Sequence, residues 1–146
     1  MLCSVKVIID ENETYIKAII DTGNFLKEPI TKAPVIVVQK DSLIGLIPES
    51  ILENLEEIIN GENINIGNFI SKVRIIPFTS LGKENGILLG VKADKVLIDR
   101  EDKTICVNDV IIGVYKGILS KNQKYQALIG LELLEQEEKT GKKITI

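Results

Sequence analysis

Two apolar runs that each end on a glycine turn, far apart in the chain, constrain the fold of this sequence more than any other feature. Ile16-Lys17-Ala18-Ile19-Ile20 leads straight into Asp21-Thr22-Gly23, and Ala127-Leu128-Ile129 leads into Gly130. An amphipathic segment, Leu131 to Glu138, follows the second run at once. Such runs read as buried strands that stop at tight turns. The first delivers a carboxylate at its end, on a turn that carries glycine. The triplet Asp-Thr-Gly occurs once, so one chain supplies one such carboxylate.

The remaining pattern is mainly β. Ser4 to Ile9 and Thr14 to Ile20 flank the polar turn Asp10-Glu11-Asn12-Glu13, a hairpin that delivers Asp21. In Thr22-Gly23-Asn24, Gly permits positive φ and Asn tolerates the left-handed region. Pro29 and Pro34 punctuate the next loop, and Val35-Ile36-Val37-Val38 reads as a buried strand. Phe69 to Phe78 and Ile87 to Lys92 flank the polar segment Thr79 to Gly86, predicting a long hairpin with a mobile tip that contains Gly82 and Gly86. Lys95 to Asp99, Thr104 to Val107, Val110 to Tyr115 and Tyr125 to Ile129 are further strands, and Lys143 to Ile146 is a short apolar end able to join a sheet. Turn signals recur at roughly 8–12 residues, the spacing of a small barrel or sandwich.

One segment breaks the β pattern. From Pro48 to Asn60, Ile51, Leu52, Leu55, Ile58 and Ile59 share one helical face. Pro48 suits the first turn and Gly61 the position past the end. The acidic face (Glu49, Glu53, Glu56, Glu57) reads as a solvated surface.

Composition narrows the chemistry. The chain has 146 residues, enough for one domain with a real core. It has no histidine, which removes Ser-His-Asp and Cys-His mechanisms and the commonest metal ligand. Cys3 and Cys106 are isolated and read as reduced thiols, with neither a zinc site nor a disulfide framework. Net charge is −3 with both signs mixed and no basic stripe, so nucleic acid is not an expected partner. No uninterrupted apolar run approaches the roughly 20 residues that span a bilayer, and no signal peptide is visible. No cofactor or metal is expected.

A lone carboxylate does not readily hydrolyse a peptide bond. Two that share a proton do so: the ionised one activates water and the protonated one donates to the carbonyl oxygen. Like charges about 3 Å apart cannot both ionise, which separates their titrations. Asp10, Asp41, Asp94, Asp99, Asp102 and Asp109 lack a following Thr/Ser-Gly. A two-fold dimer supplies the partner instead, because an isologous interface brings Asp21 to the axis twice.

Ile20-Asp21-Thr22-Gly23, Val110-Ile111-Ile112-Gly113 and Ala127 to Leu134 resemble the ordered landmarks of retropepsins, the dimeric retroviral-type aspartic peptidases. Asp21 to Val35 and Ile76 to Gly86 resemble more closely the peptidase domain of the sporulation sigma-E factor-processing peptidases of endospore-forming bacteria. The resemblance covers nearly the whole chain. It implies a single domain over residues 1–146, half of a two-fold symmetric peptidase: a retropepsin-like acid-protease barrel with one inserted helix and one C-terminal helix. It implies Asp21 as the catalytic residue, with Thr22 bonding across the dyad, Gly23 admitting the substrate backbone and Gly130 beneath the catalytic loop. Thr79, Ser80, Leu81, Gly82 and Gly86 are expected in a flap that grips the peptide.

The family further implies a domain cut from a longer protein anchored in the membrane at the sporulation septum, with this domain in the mother-cell cytoplasm. The expected partners are a second copy of the chain, an inactive pro-sigma factor as substrate and a forespore-derived activating signal protein. The chain departs from retroviral enzymes in its inserted helix and in a hairpin tip with fewer glycines. Two alternatives stay open: a non-catalytic peptide- or partner-binding module of the same fold, and a peptidase of another bacterial subfamily. Lys83 and Glu84 near the hairpin tip read as solvated loop charges.

Overall fold

The computed structural model describes residues 1–79 and 85–135. In chain order its elements are β1 (Leu2–Ile9), β2 (Asn12–Ile20), β3 (Val35–Gln39), α1 (Glu49–Leu52), α2 (Leu55–Ile59), β4 (Val73–Thr79), β5 (Asn85–Lys92), β6 (Lys95–Arg100), β7 (Lys103–Val107), β8 (Ile111–Tyr115) and β9 (Ala127–Ile129). Residues 131–135 are helical. The mainly β expectation is borne out.

All nine strands belong to one mixed sheet, ordered β4-β5-β8-β3-β9-β2-β1-β6-β7. Among the described residues the order is open, from β4 at one edge to β7 at the other. The strands that flank the glycine turns meet in parallel, with Ile20 opposite Ile129 and Ala18 opposite Ala127. Strand β3 lies parallel to β8 and antiparallel to β9. It is buried along its whole length, as a central strand covered on both faces must be.

The alternation of side chains splits the core in two. Ile36 and Val38 of β3, with Ile112, Val114, Ala127 and Ile129, enter a large cluster with β1, β6, α1 and the start of α2. Val35 and Val37 face the other way, into a small cluster with Ala33, Ile76, Leu88 and Ile111. Leu26, Phe78, Leu119 and Leu128 pack around that second cluster, partly buried.

Three local expectations need correction. The single helix over Pro48 to Asn60 is two short ones, because Asn54 leaves helical geometry (φ −132°, ψ 33°). Its side-chain amide donates to the Ser50 carbonyl at 2.8 Å, offering the backbone a local alternative to the helix. The strand expected from Phe69 begins only at Val73, after a 3-10 turn over Gly67–Ser71. The strand expected from Tyr125 starts at Ala127. Gly61 has φ +81°, as the position past a helix requires.

The segment Thr79 to Gly86 is partly strand. Thr79 pairs with Asn85, and Phe78 with Gly86. Ser80, Leu81, Gly82, Lys83 and Glu84, including the expected mobile tip, lie outside the described residues. So do residues 136–146, which hold the end of the expected helix and the expected strand Lys143 to Ile146.

Candidate active site

The Asp21 loop begins where the β2–β9 ladder ends. The backbone amide of Asp21 donates to the Ile129 carbonyl at 2.7 Å, and the amide of Asn24 donates to the Asp21 carbonyl at 3.1 Å, closing a turn over residues 21–24. The amide of Gly23 donates to Asp21 Oδ1 at 2.9 Å. One carboxylate oxygen is therefore tethered to its own turn. Asp21 is half-buried, while Thr22 and Gly23 are exposed.

The expected positive φ at Gly23 is not found; among the described glycines it belongs to Gly45, Gly61 and Gly67. Gly23 also has room for a side-chain carbon. A Cβ there would sit 3.4 Å from Asp21 Oδ1, in contact with the carboxylate. Nor does Asn24 occupy the left-handed region. Its contribution is its side chain: Oδ1 accepts from the Leu26 amide at 3.1 Å, and Nδ2 faces the carbonyls of Val35 and Leu128, each at 3.4 Å.

Gly130 lies against the Asp21 loop. A Cβ on Gly130 would fall 2.3 Å from the Asn24 carbonyl oxygen, a backbone atom that cannot swing aside. The two glycine turns thus pack backbone to backbone, and any side chain at 130 would push the Asp21 loop off the sheet.

Downstream, Glu28 is almost fully buried, with 4% of its surface exposed, yet it carries a carboxylate. Its Oε2 accepts from the Thr31 amide at 2.5 Å, the Thr31 hydroxyl at 2.7 Å and the Ile30 amide at 3.1 Å. These bonds, led by the Thr31 amide, hold the Glu28 carboxyl below its ordinary value, with the charge of Arg74 adding to them. Lys27 reaches Glu132 at 3.1 Å, between partly exposed groups, which ties the loop weakly to helical residues 131–135.

Sequence reasoning missed Glu28 and the side-chain work of Asn24. A carboxylate three residues before a hydroxyl, directly ahead of Pro29, is the signal that points to Glu28. Of the expected flap residues, Thr79 and Gly86 stand at the far end of the β4–β5 hairpin. Gly86 is packed under Phe78: a Cβ would meet the ring at 2.3 Å.

Two concave sites lie elsewhere. One, of about 430 Å³, runs between α2 and the β4–β5 hairpin, lined by Leu55, Ile59, Phe78, Ile87 and Tyr115. Glu56 and Lys116 also line it and pair with each other. The other, of about 380 Å³, is polar, with Lys72, Arg74, Lys92, Asp94 and Asp109. Neither is lined by Asp21. Among the described residues no group of three His, Cys, Asp or Glu side chains is placed to hold a metal ion. No helix among them is long and apolar enough to cross a membrane.

The peptidase family U4 model, described as sporulation factor SpoIIGA, matches residues 1–133. The sporulation sigma-E factor-processing peptidase of Priestia megaterium is 35% identical over 136 residues, covering 91% of this chain and 44% of that protein. The sporulation sigma-E factor-processing peptidase of Bacillus subtilis is 30% identical over 135 residues, covering 90% of this chain and 44% of that protein. A relative from Bacillus thuringiensis subsp. kurstaki is 33% identical over 135 residues, and the match covers 84% of it. The chain thus spans less than half the length of the first and second of these three relatives. No solved structure matches.

Proposed function

The chain belongs to peptidase family U4, the sporulation factor SpoIIGA family, and from that membership we propose that it is the catalytic unit of an aspartic endopeptidase. Its substrate is a sporulation sigma factor precursor, in keeping with the sigma-E factor processing in the names of its relatives, and the cut removes the inhibitory pro-sequence. It works as a retropepsin-like homodimer, each subunit giving one Asp21. The ionised carboxylate draws a proton from water; its protonated twin donates to the scissile carbonyl oxygen.

The observation that carries this reading is the Asp21 turn itself. A half-buried carboxylate stands at a strand end, one oxygen tethered to the Gly23 amide, with the backbone beneath it bonded to Ile129. Large apolar side chains stand exposed next to the two glycine turns: Phe25 is 73% exposed and Leu131 40%. Such a surface suits burial against a second copy and an extended peptide. Exposed Thr22 is free to bond across the axis. The flap role of the β4–β5 hairpin, including Ser80, Leu81 and Gly82, belongs to the same reading. So do a membrane anchor in the longer protein and a forespore signal protein that triggers cleavage.

The test uses two copies joined in one chain, since tethering raises effective concentration at a weak dimer contact. This tandem protein should cleave a sigma factor precursor and be blocked by a transition-state analogue of aspartic peptidases. Asp21→Asn in both copies should abolish cleavage. Cleavage that survives the double substitution overturns the assignment, and a folded, inert tandem favours a binding module.

A further inference from the structure

We propose that Asn24 is the positioning residue of this site: its side chain locks the Asp21 loop into the fork where β3 and β9 separate. The proposal rests on the aspartic reading above for its effect on rate, and on geometry alone for its effect on the loop.

The fork is visible in the register. Val37 stands opposite Leu128 and Val38 opposite Ala127, and there the β3–β9 ladder stops. Bonded pairs alternate along an antiparallel ladder, so the next would join Val35 to Gly130. Gly130 instead turns toward the helical residues, and its carbonyl accepts from the Leu133 amide at 3.3 Å. The loop fills the vacated place: the Leu26 carbonyl accepts from the Val35 amide at 3.1 Å, and the Asn24 amide takes the other side. Its nitrogen lies 3.4 Å from the Val35 carbonyl on one strand and 3.4 Å from the Leu128 carbonyl on the other. Its oxygen takes the Leu26 amide at 3.1 Å. One side chain thereby joins the loop to both strands.

Only an amide of this length meets all three demands. An aspartate would set a second negative oxygen against two carbonyls. A serine offers one proton and a shorter reach, and a glutamine is one methylene too long. The consequence for chemistry is distance. Asp21 is three residues away on the same turn, and a dyad depends on how close its two carboxylates come. A displacement near 1 Å can cost about 100-fold in rate.

The test places Asn24→Asp, Asn24→Ala and Asn24→Gln in both copies of the tandem protein. In Asn24→Asp and Asn24→Ala, kcat should fall about 10- to 100-fold, with KM changed less than about 2-fold. The bell-shaped pH profile of kcat should narrow, because carboxylates held further apart couple less strongly. Asn24→Gln should recover neither. Amide exchange provides a readout that needs no activity. In Asn24→Ala the Leu26 amide should exchange at least about 10-fold faster, while that of Val38, in the large core, stays protected.

The proposal is overturned if Leu26 exchange is unchanged. It is also overturned if kcat falls only as far as the folded fraction does, with the pH profile at full width. An inert wild type whose Leu26 amide loosens in Asn24→Ala sinks the peptidase reading and leaves the locking role standing.

Discussion

Strand β3 sends Ile36 and Val38 to one face of the sheet and Val35 and Val37 to the other, and the two faces are held in different ways. The first face is a large, mainly aliphatic cluster running from β1 to helical residues Leu133 and Leu134. The second is thin, and the loop across it is fastened by polar groups: Asn24 on two strand carbonyls, Glu28 on three donors around Thr31. Aliphatic burial is strong but does not select direction, so it holds a fold together without fixing a carboxylate to a fraction of an ångström. Hydrogen bonds contribute less each and do select direction. Stability sits mainly on one face, and aim on the other.

The largest effect expected from this division is at Asp21. Asp21→Asn should lower cleavage by about 10²- to 10⁴-fold or more while thermal unfolding stays put, since the Asn keeps an oxygen for the Gly23 amide. A matching fall in the unfolding midpoint would show that the site also carries the fold, and the division would fail.

Gly130→Ala comes next. The added methyl falls 2.3 Å from the Asn24 carbonyl oxygen, so the loop must lift, at a cost of about 1–3 kcal/mol. Cleavage should fall further than that loss of stability explains. Chemical denaturation and cleavage rates on the same protein measure both quantities. An alanine tolerated without loss of rate would mean that the two glycine turns need not touch.

A paired truncation along β3 compares the faces directly. Val38→Ala opens a hole in the large cluster, where Val38 is fully buried, and should cost about 2 kcal/mol of unfolding free energy. Val37→Ala, on the thin face, should cost less, since Leu128 and other partly buried neighbours can settle into the space. Equal costs would erase the distinction between the faces.

The smallest effect is a pH dependence. Donors from Thr31 and Ile30 keep the Glu28 carboxyl below its ordinary value of 4.5. A depressed value in the folded state means stability present above the ordinary value and lost as pH falls through the depressed one. The gap in unfolding midpoint between the wild type and Glu28→Gln should hold steady near neutrality and close in acid. A gap that persists through the acid range would show that Glu28 acts by shape and not by charge.

Much of this was legible beforehand because it depends on period and punctuation. The strands before Asp21 and Gly130 announce themselves by apolar runs that end on glycine turns, and Gly61 marks the helix end. What was not legible depends on partners distant in sequence. Asn54 splits a helix whose apolar face is unbroken, through a bond to a carbonyl that periodicity does not weigh. Asn24 looked like a turn residue because its partners, Val35 and Leu128, are set by sheet register. Gly23 looked like a positive-φ residue, yet its φ is not positive. Glu28 does not stand out by itself, because its burial depends on Thr31 and Ile30 closing around it.

The parallel pairing of β2 with β9 has a consequence for timing. The Asp21 amide has its partner in Ile129, more than a hundred residues later, and Gly130 must arrive before the loop has a floor. Contacts of such span form late, after shorter loops have closed. A nascent chain still missing β9 carries Asp21 on an unsupported turn. On the aspartic reading proposed above, the Asp21 site therefore takes shape only once β9 has been made.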